Sequence, residues 1–232
     1  MKSKVETAVA GAPPMRQKIF HWAINTGKAT IPYRSEGKPI PGFLKLKLAI
    51  ADKLVLSKLR AKLGFENTAL LLSGSAPLSV EVHEFFLALQ LELMEAYGLT
   101  ETCPGLTTNM PGAFSLGTVG RAFPGVEIQI ADDGEILAKG PNITSGYLNR
   151  DDATSGAFND DGWFLTSDLG SQDSRGFVKI TGRKKELIKT SGGKYVAPAK
   201  IEGKLKTLPI IQEAVVIGDR RNYCVCVISI DP

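Results

Sequence analysis

The chain has 232 residues, 43% hydrophobic and 22% charged, with a mean hydropathy near zero; this is the profile of a globular chain and excludes disordered and collagen-like classes. No apolar run approaches the roughly 18 residues of a membrane span, and three cysteines are too few for a disulfide framework, so a reducing cytoplasm is the expected setting. The net charge of +4 is unevenly spread, because residues 1–62 carry 13 Lys/Arg against 3 Asp/Glu and the remainder is acidic.

The basic start is interrupted by Glu6, which breaks any signal-peptide apolar region. After the breaker Ala12-Pro13-Pro14, the spacing of Ile19, Trp22 and Ala23 predicts an amphipathic helix over 15–26. A Pro/Gly-rich loop is expected from Thr30 to Gly42. A Leu/Ile-patterned helix with interleaved lysines follows from Phe43 to Leu63, stopped at Gly64. From residue 65 the texture changes to α/β. Ala69–Leu72 reads as a buried strand running into a glycine turn, then a helix to about Leu89, then a strand at Leu91–Glu95 closing on Tyr97-Gly98. Ligands collect at such strand C-termini. Beyond Pro111 the pattern is mainly β, with strands at 126–130, 135–138 and 177–181. A short helix at 197–208 and two strands, 214–217 and 223–230, close the chain.

Several familiar signatures fail. Gly192-Gly193-Lys194 lacks the first glycine and the hydroxyl of a phosphate loop, since Ile188 and Tyr195 stand there. His83-Glu84 lacks a second metal-binding histidine, with Leu87 in its place, and no serine is flanked as GxSxG. Cys224 and Cys226 alternate within an apolar strand, where packing is the expected role. The basic helices lack the interleaved aromatics of a nucleic-acid platform, so no nucleic-acid partner is expected.

The chemically richest segment is Glu95–Thr102. A strand ends in an aromatic and a glycine, followed by two hydroxyls and the Glu101 carboxylate. Hydroxyls donate to phosphate oxygens, and a single carboxylate suits Mg2+ that keeps water and phosphate ligands. The segment resembles the core motif of the AMP-forming adenylating superfamily, and four further motifs follow that family's order. Leu72–Leu78 is similar to its adenine turn, and Gly134–Gly140 through Gly146-Tyr147 to its GEL…G…GY segment. Asp161–Gly170 resembles W[FY]xTGDLG, and Gly182–Lys189 the hinge between large and small domains. The run 183–198, with Lys185 at the hinge, and the helical stretches around 16–22 and 48–59 are similar to long-chain fatty acyl-CoA synthetases.

The resemblance implies an α/β fold. It would comprise a helical segment (1–64) and an adenylate-binding α/β and β-rich part of the large domain (65–181), then a hinge with the start of a small α+β lid (182–232). It implies that Gly74, Ser75 and Ala76 pass the adenine edge, that Tyr97 stacks on the ring beside Gly98, and that Thr100 bonds the α-phosphate. Glu101 would hold Mg2+, Asp168 and Arg183 the ribose, and Lys189 would supply a cation near the acyl carboxylate or phosphate. Lys185 would be the hinge, and Gly192-Gly193 would let the pantetheine arm of coenzyme A pass. The implied substrates are ATP, a long-chain fatty acid and coenzyme A, with AMP as product and peripheral contact with an anionic inner-membrane surface.

Ser167 stands where the family has glycine, a mild change unless that backbone needs φ > 0. The family's phosphate-gripping Pro-Lys-Gly loop and its lid lysine are not found in the 232 residues, so a fragment with little activity of its own is expected. A non-catalytic AMP- or acyl-adenylate-binding module and a basic membrane- or nucleic-acid-binding protein remain the alternatives.

Overall fold

The computed structural model describes residues 2–76, 78–208 and 210–230; Pro77 of the glycine turn, Met1, Asp231 and Pro232 lie outside the described residues. The chain divides into two compact units. The first runs to Glu95 and includes Asn109–Gly117; the second comprises Ala96–Thr108 and the chain from Thr118 onward.

The first unit is mostly helical: α1 (Lys2–Ala10), α2 (Pro14–Lys28), α3 (Ile31–Ser35), α4 (Gly42–Ala51), a π turn at Asp52–Leu56, and α5 (Ser57–Lys62). α2 opens with proline at its first position, where no amide hydrogen is needed. α3 occupies part of the stretch expected to be a loop, its Pro32 likewise in a first turn. The buried face of α2 also differs from expectation. Phe20, Ala23, Ile24 and Gly27 are buried, whereas Ile19 and Trp22 are exposed. Small residues decide this: a Cβ on Gly27 would lie 2.0 Å from the carbonyl oxygen of Ala88, so only this face lets α2 approach the next helix. That helix is α6 (Val80–Ala88), capped by the Ser79 hydroxyl accepting from Val82 N at 3.2 Å.

Between these helices lies a core of Phe20, Ile24, Leu56, Phe85, Phe86, Leu89 and Leu91. Arg60 ties the π turn to it, donating to Asp52 Oδ1 at 2.7 Å and to the Leu89 carbonyl at 2.8 Å. Strand β1 (Leu71–Ser73) pairs in parallel with β2 (Leu93–Tyr97), Ser73 opposite Glu95. The buried strand expected at 69–72 is thus a three-residue edge strand, with Leu70 and Leu72 exposed, because among the described residues β1 pairs only with β2.

In the second unit Ala96 and Tyr97 of β2 pair with β3 (Thr107–Thr108), which pairs with β4 (Arg121–Ala122). A four-stranded antiparallel meander follows: β5 (Glu127–Ile130), β6 (Glu135–Lys139), β7 (Phe164–Gln172) and β8 (Val178–Arg183), with α7 (Asp151–Ser155) inserted before β7. Alternating Ile136, Ala138 and Val178 close a core with Tyr97 and Leu106. After a 3-10 turn at Lys184–Glu186, β9 (Ile188–Lys189) pairs with β10 (Tyr195–Val196). α8 (Pro198–Leu205) then packs on the hairpin of β11 (Ile211–Ile217) and β12 (Val225–Ile230). Packing does not account for the two cysteines of this hairpin. Cys226 is exposed, as are all residues of β12, which among the described residues pairs only with β11, and Cys224, just before that strand, is half-buried.

Alanine at position 27 sets two effects against each other. Helix propensity favours Ala over Gly by about 1 kcal/mol, but a Cβ 2.0 Å from a backbone oxygen forces α2 and α6 apart, at an overpacking cost of about 1–3 kcal/mol. Gly27→Ala is expected to lower stability on balance, measured as a reduced midpoint in denaturant unfolding.

Candidate active site

The antiparallel register of β7 and β8 sets Asp168 directly across from Arg183, although 14 residues intervene. Arg183 Nε lies 3.2 Å from Asp168 Oδ1. On the other side the hydroxyl of Tyr97, at the end of β2, donates to Asp168 Oδ2 at 2.7 Å. Asp168 is buried and Arg183 is 48% exposed in its side chain, so the carboxylate is held from inside by a neutral donor and from outside by a cation. Burial raises the Asp168 carboxyl above its ordinary 3.8, against the lowering effects of the Tyr97 hydrogen bond and the Arg183 charge. Burial likewise pushes the Tyr97 phenol far above its usual range. The Tyr97 ring, cast by the resemblance as a stacking surface, is 8% exposed and forms part of the core.

Past Tyr97 the chain turns on Gly98. A Cβ there would sit 1.4 Å from the Pro104 carbonyl oxygen, so the close approach that glycine permits is that of the protein's own backbone. The turn brings Thr100–Thr102 into a single 3-10 turn, closed by the buried Thr102 hydroxyl, which accepts from Leu99 N at 2.9 Å, and by Cys103 in a left-handed conformation (φ 51°). Thr100 points outward and is exposed. Glu101 Oε1 accepts from the Tyr147 hydroxyl at 2.8 Å, a bond that raises the Tyr147 phenol pKa. The segment carrying Tyr147 is bonded to the same loop through Thr144 N to Glu101 O (2.7 Å) and Asn142 Nδ2 to the carbonyls of Thr102 (2.8 Å) and Gly105 (2.6 Å).

Ser167, immediately before Asp168, has φ +60°. The condition under which serine for glycine stops being mild is therefore met: the backbone here is left-handed, which costs a β-carbon residue roughly 1–2 kcal/mol. The conformation is fixed from below. Ser167 N donates to Glu135 Oε1 at 2.7 Å, and the other oxygen of this buried carboxylate lies 2.8 Å from Lys184 Nζ. Lys184 also meets Asp133 Oδ2 at 2.5 Å, and that contact lowers the Asp133 carboxyl pKa. Lys185, next along the 3-10 turn, is exposed. Lys189 is exposed on β9, its ammonium 5.3 Å from the centroid of the Tyr195 ring. Gly192 and Gly193 lie in the β9–β10 turn, where an added Cβ would meet nothing within 4 Å among the described residues.

Gly74, Ser75 and Ala76 belong to the first unit and are all exposed, Ser75 with φ +67°. Just beyond them Leu78 N donates to the buried Glu95 carboxylate at 3.3 Å. Of the residues anticipated from sequence, the structure joins Tyr97, Asp168 and Arg183 by direct contact. Missing from the anticipated set were Asn142, Tyr147, Glu135 and Lys184, which touch the anticipated residues or their backbone. The only sequence signal for them was that Glu135, Tyr147 and Lys184 fall inside recognised motifs without a role.

A model of the AMP-binding enzyme family matches residues 5–148. The chain belongs to the AMP-binding enzyme family. A second model, for the AMP-binding enzyme C-terminal domain, matches residues 185–231. The chain is 41% identical over 241 residues to the long-chain-fatty-acid–CoA ligase FadD15 of Mycobacterium bovis, covering 97% of this chain and 40% of the relative. To human long-chain-fatty-acid–CoA ligase ACSBG1 it is 37% identical over 229 residues, 95% of this chain and 31% of that one. Among solved structures, the o-succinylbenzoate CoA synthetase MenE of Bacillus subtilis, in complex with its acyl-adenylate intermediate, aligns with a TM-score of 0.66. The two are 29% identical, over 76% of this chain and 40% of MenE. ATP-bound MatB of Rhodopseudomonas palustris aligns with a TM-score of 0.60 at 37% identity, over 72% and 36%. The fold is α/β, as these AMP-binding relatives have it, and the chain spans 40% or less of the length of the two ligases.

Among the described residues no group of three His, Cys, Asp or Glu could hold a metal alone. Glu101 offers a single carboxylate, and Mg2+ commonly takes one or two carboxylates with water and phosphate completing its shell.

Two outcomes follow from the geometry around Asp168. Ser167→Gly relieves the left-handed strain, partly offset by glycine's greater chain entropy when unfolded; a gain of roughly 0.5–1 kcal/mol is expected in denaturant unfolding. For Asp168 the folded pKa is raised, so the folded state binds the proton more tightly than the unfolded chain. This group's contribution to stability therefore falls as pH rises from its ordinary 3.8 through the higher folded value. Unfolding free energies across that window should show the difference between Asp168→Asn and the parent chain moving in favour of the variant as pH rises.

Proposed function

We propose that this chain carries the nucleotide-contacting part of an AMP-forming long-chain fatty acid–CoA ligase. The observation that supports this best is the Tyr97–Asp168–Arg183 arrangement in a chain of the AMP-binding family whose relatives include ligases of that name. A carboxylate oxygen has lone pairs beyond those used by Tyr97 and Arg183, so Asp168 can still accept from both ribose hydroxyls. Arg183, partly exposed, donates to the same sugar. The exposed turn Gly74–Ala76 presents small side chains to the adenine edge. Thr100 donates its hydroxyl to an α-phosphate oxygen, and exposed Lys189 supplies a cation for the acyl carboxylate or phosphate.

The reaction so read has two displacements. A fatty carboxylate oxygen attacks the α-phosphorus of ATP, forming the acyl phosphate anhydride as the bond to pyrophosphate breaks. The thiol sulfur of coenzyme A then attacks the acyl carbonyl, and AMP leaves. Mg2+ bound at Glu101 would neutralise phosphate charge. The protein's own contribution is to position these groups and balance their charge. Lys185 would be the hinge, with residues 1–64, 65–181 and 182–232 as helical, adenylate-binding and lid parts, and Gly192-Gly193 the passage for pantetheine.

Among the described residues no helix is long and apolar enough to cross a membrane. Peripheral contact at the cytoplasmic face is supported by α4 and the π turn, where exposed Phe43, Leu46, Ile50 and Leu54 alternate with Lys45, Lys47 and Lys53.

Calorimetric titration with AMP tests the nucleotide reading. The chain is expected to bind, with affinity reduced at least about ten-fold, near 1.4 kcal/mol, in Asp168→Ala. Absence of binding, or affinity indifferent to that substitution, would overturn it. Incubation with ATP, palmitate and coenzyme A separates ligase from binding module, since AMP and thioester form only if the chain catalyses both displacements.

A further inference from the structure

The Glu101 turn is braced by a distant segment of the second unit. Its three residues form one 3-10 turn, and Cys103 behind it is left-handed. Its stiffness comes from another segment, 142–147, which bonds to it at four points. Thr144 N donates to the Glu101 carbonyl, Asn142 Nδ2 to the carbonyls of Thr102 and Gly105, and the Tyr147 hydroxyl to Glu101 Oε1, all between 2.6 and 2.8 Å.

Two features show that this bracket is specific. Asn142 places both amide hydrogens on loop carbonyls while its Oδ1 is buried without a hydrogen-bond partner among the described residues. Leaving a buried acceptor empty costs about 1–3 kcal/mol, so the geometry is set by the two donated bonds. Tyr147 is itself held, its backbone N donating to Thr154 Oγ1 at 2.9 Å and Gly146 N to Thr144 Oγ1 at 3.3 Å. The phenol is therefore aimed at one carboxylate oxygen, and the other, Oε2, accepts no hydrogen bond among the described residues.

We infer that Tyr147 and Asn142 are positioning residues that fix Glu101 for a one-oxygen contact to Mg2+ through Oε2; this rests on the proposed role of Glu101 in holding the ion. With Oε1 already accepting from a neutral donor, the carboxylate keeps its full charge, and Oε2 is the oxygen left without a hydrogen bond among the described residues. Mg2+, small and strictly octahedral, takes carboxylates one oxygen at a time and fills its other positions with water and phosphate. Outer partners of a metal-binding carboxylate set its rotamer, and their loss commonly weakens metal binding ten- to a hundred-fold.

The test titrates Mg2+ into the chain with ATP present and, separately, measures ATP binding in EDTA. Tyr147→Phe keeps the ring and removes only the hydroxyl. It is expected to weaken the Mg2+ half-point about ten-fold while leaving ATP affinity in EDTA and the thermal midpoint nearly unchanged. Asn142→Ala should shift the Mg2+ half-point in the same direction with Tyr147 intact. Equal losses with and without Mg2+, or no change in either variant, would overturn the inference. Glu101→Gln is the reference. If it leaves the Mg2+ half-point unmoved, the assignment of the metal to Glu101 fails, and the positioning role with it. If Glu101→Gln moves the half-point and Tyr147→Phe does not, only the positioning role fails.

Discussion

The Asp168 carboxylate is where the second unit's architecture and its chemistry meet. It sits on a strand whose partner delivers Arg183 by register alone, and beneath it the terminal tyrosine of another strand donates from the core. Burying a carboxylate is unfavourable unless it is bonded and paired, and here both conditions are met by residues distant in sequence. A shift of one residue between β7 and β8 would send Asp168 and Arg183 to opposite faces of the sheet. The same register that builds the meander therefore builds the polar centre.

Glu135 acts in the same way beneath the neighbouring turn. One of its oxygens holds the left-handed turn at Ser167, and the other draws in Lys184, which stands between Arg183 and Lys185. The turn that aims Asp168 and the chain leaving β8 thus share one buried anion. The 142–147 bracket does for the Glu101 loop what Glu135 does for the Asp168 turn. In both cases a side chain from a neighbouring segment braces the turn in addition to the bonds within it.

Much of this was legible in the sequence. Helix and strand positions followed from periodicity and from Pro and Gly placement, and motif order pointed to the family and to Asp168, Arg183 and Glu101. The misreadings have physical causes. Ile19 and Trp22 are apolar at helical spacing, but Gly27 lets the neighbouring face with Phe20, Ala23 and Ile24 pack closer, and close packing outweighed raw hydrophobicity. Ala69–Leu72 is apolar but too near the sheet edge to be covered. Tyr147 and Asn142 went unassigned because their importance lies in hydrogen bonds to a loop some 40 residues earlier, and spacing along a chain carries no such information.

Ser167 also bears on how such chains are to be found. The turn before Asp168 demands a left-handed backbone, and glycine is merely the residue that adopts it with least strain; serine does so here at φ +60° with its amide anchored on Glu135. What the position specifies is a handedness, which asparagine, aspartate or serine can also supply given an anchor. A search pattern written in letters treats this chain as an exception at that point, whereas one written in dihedral angles would treat it as an ordinary member.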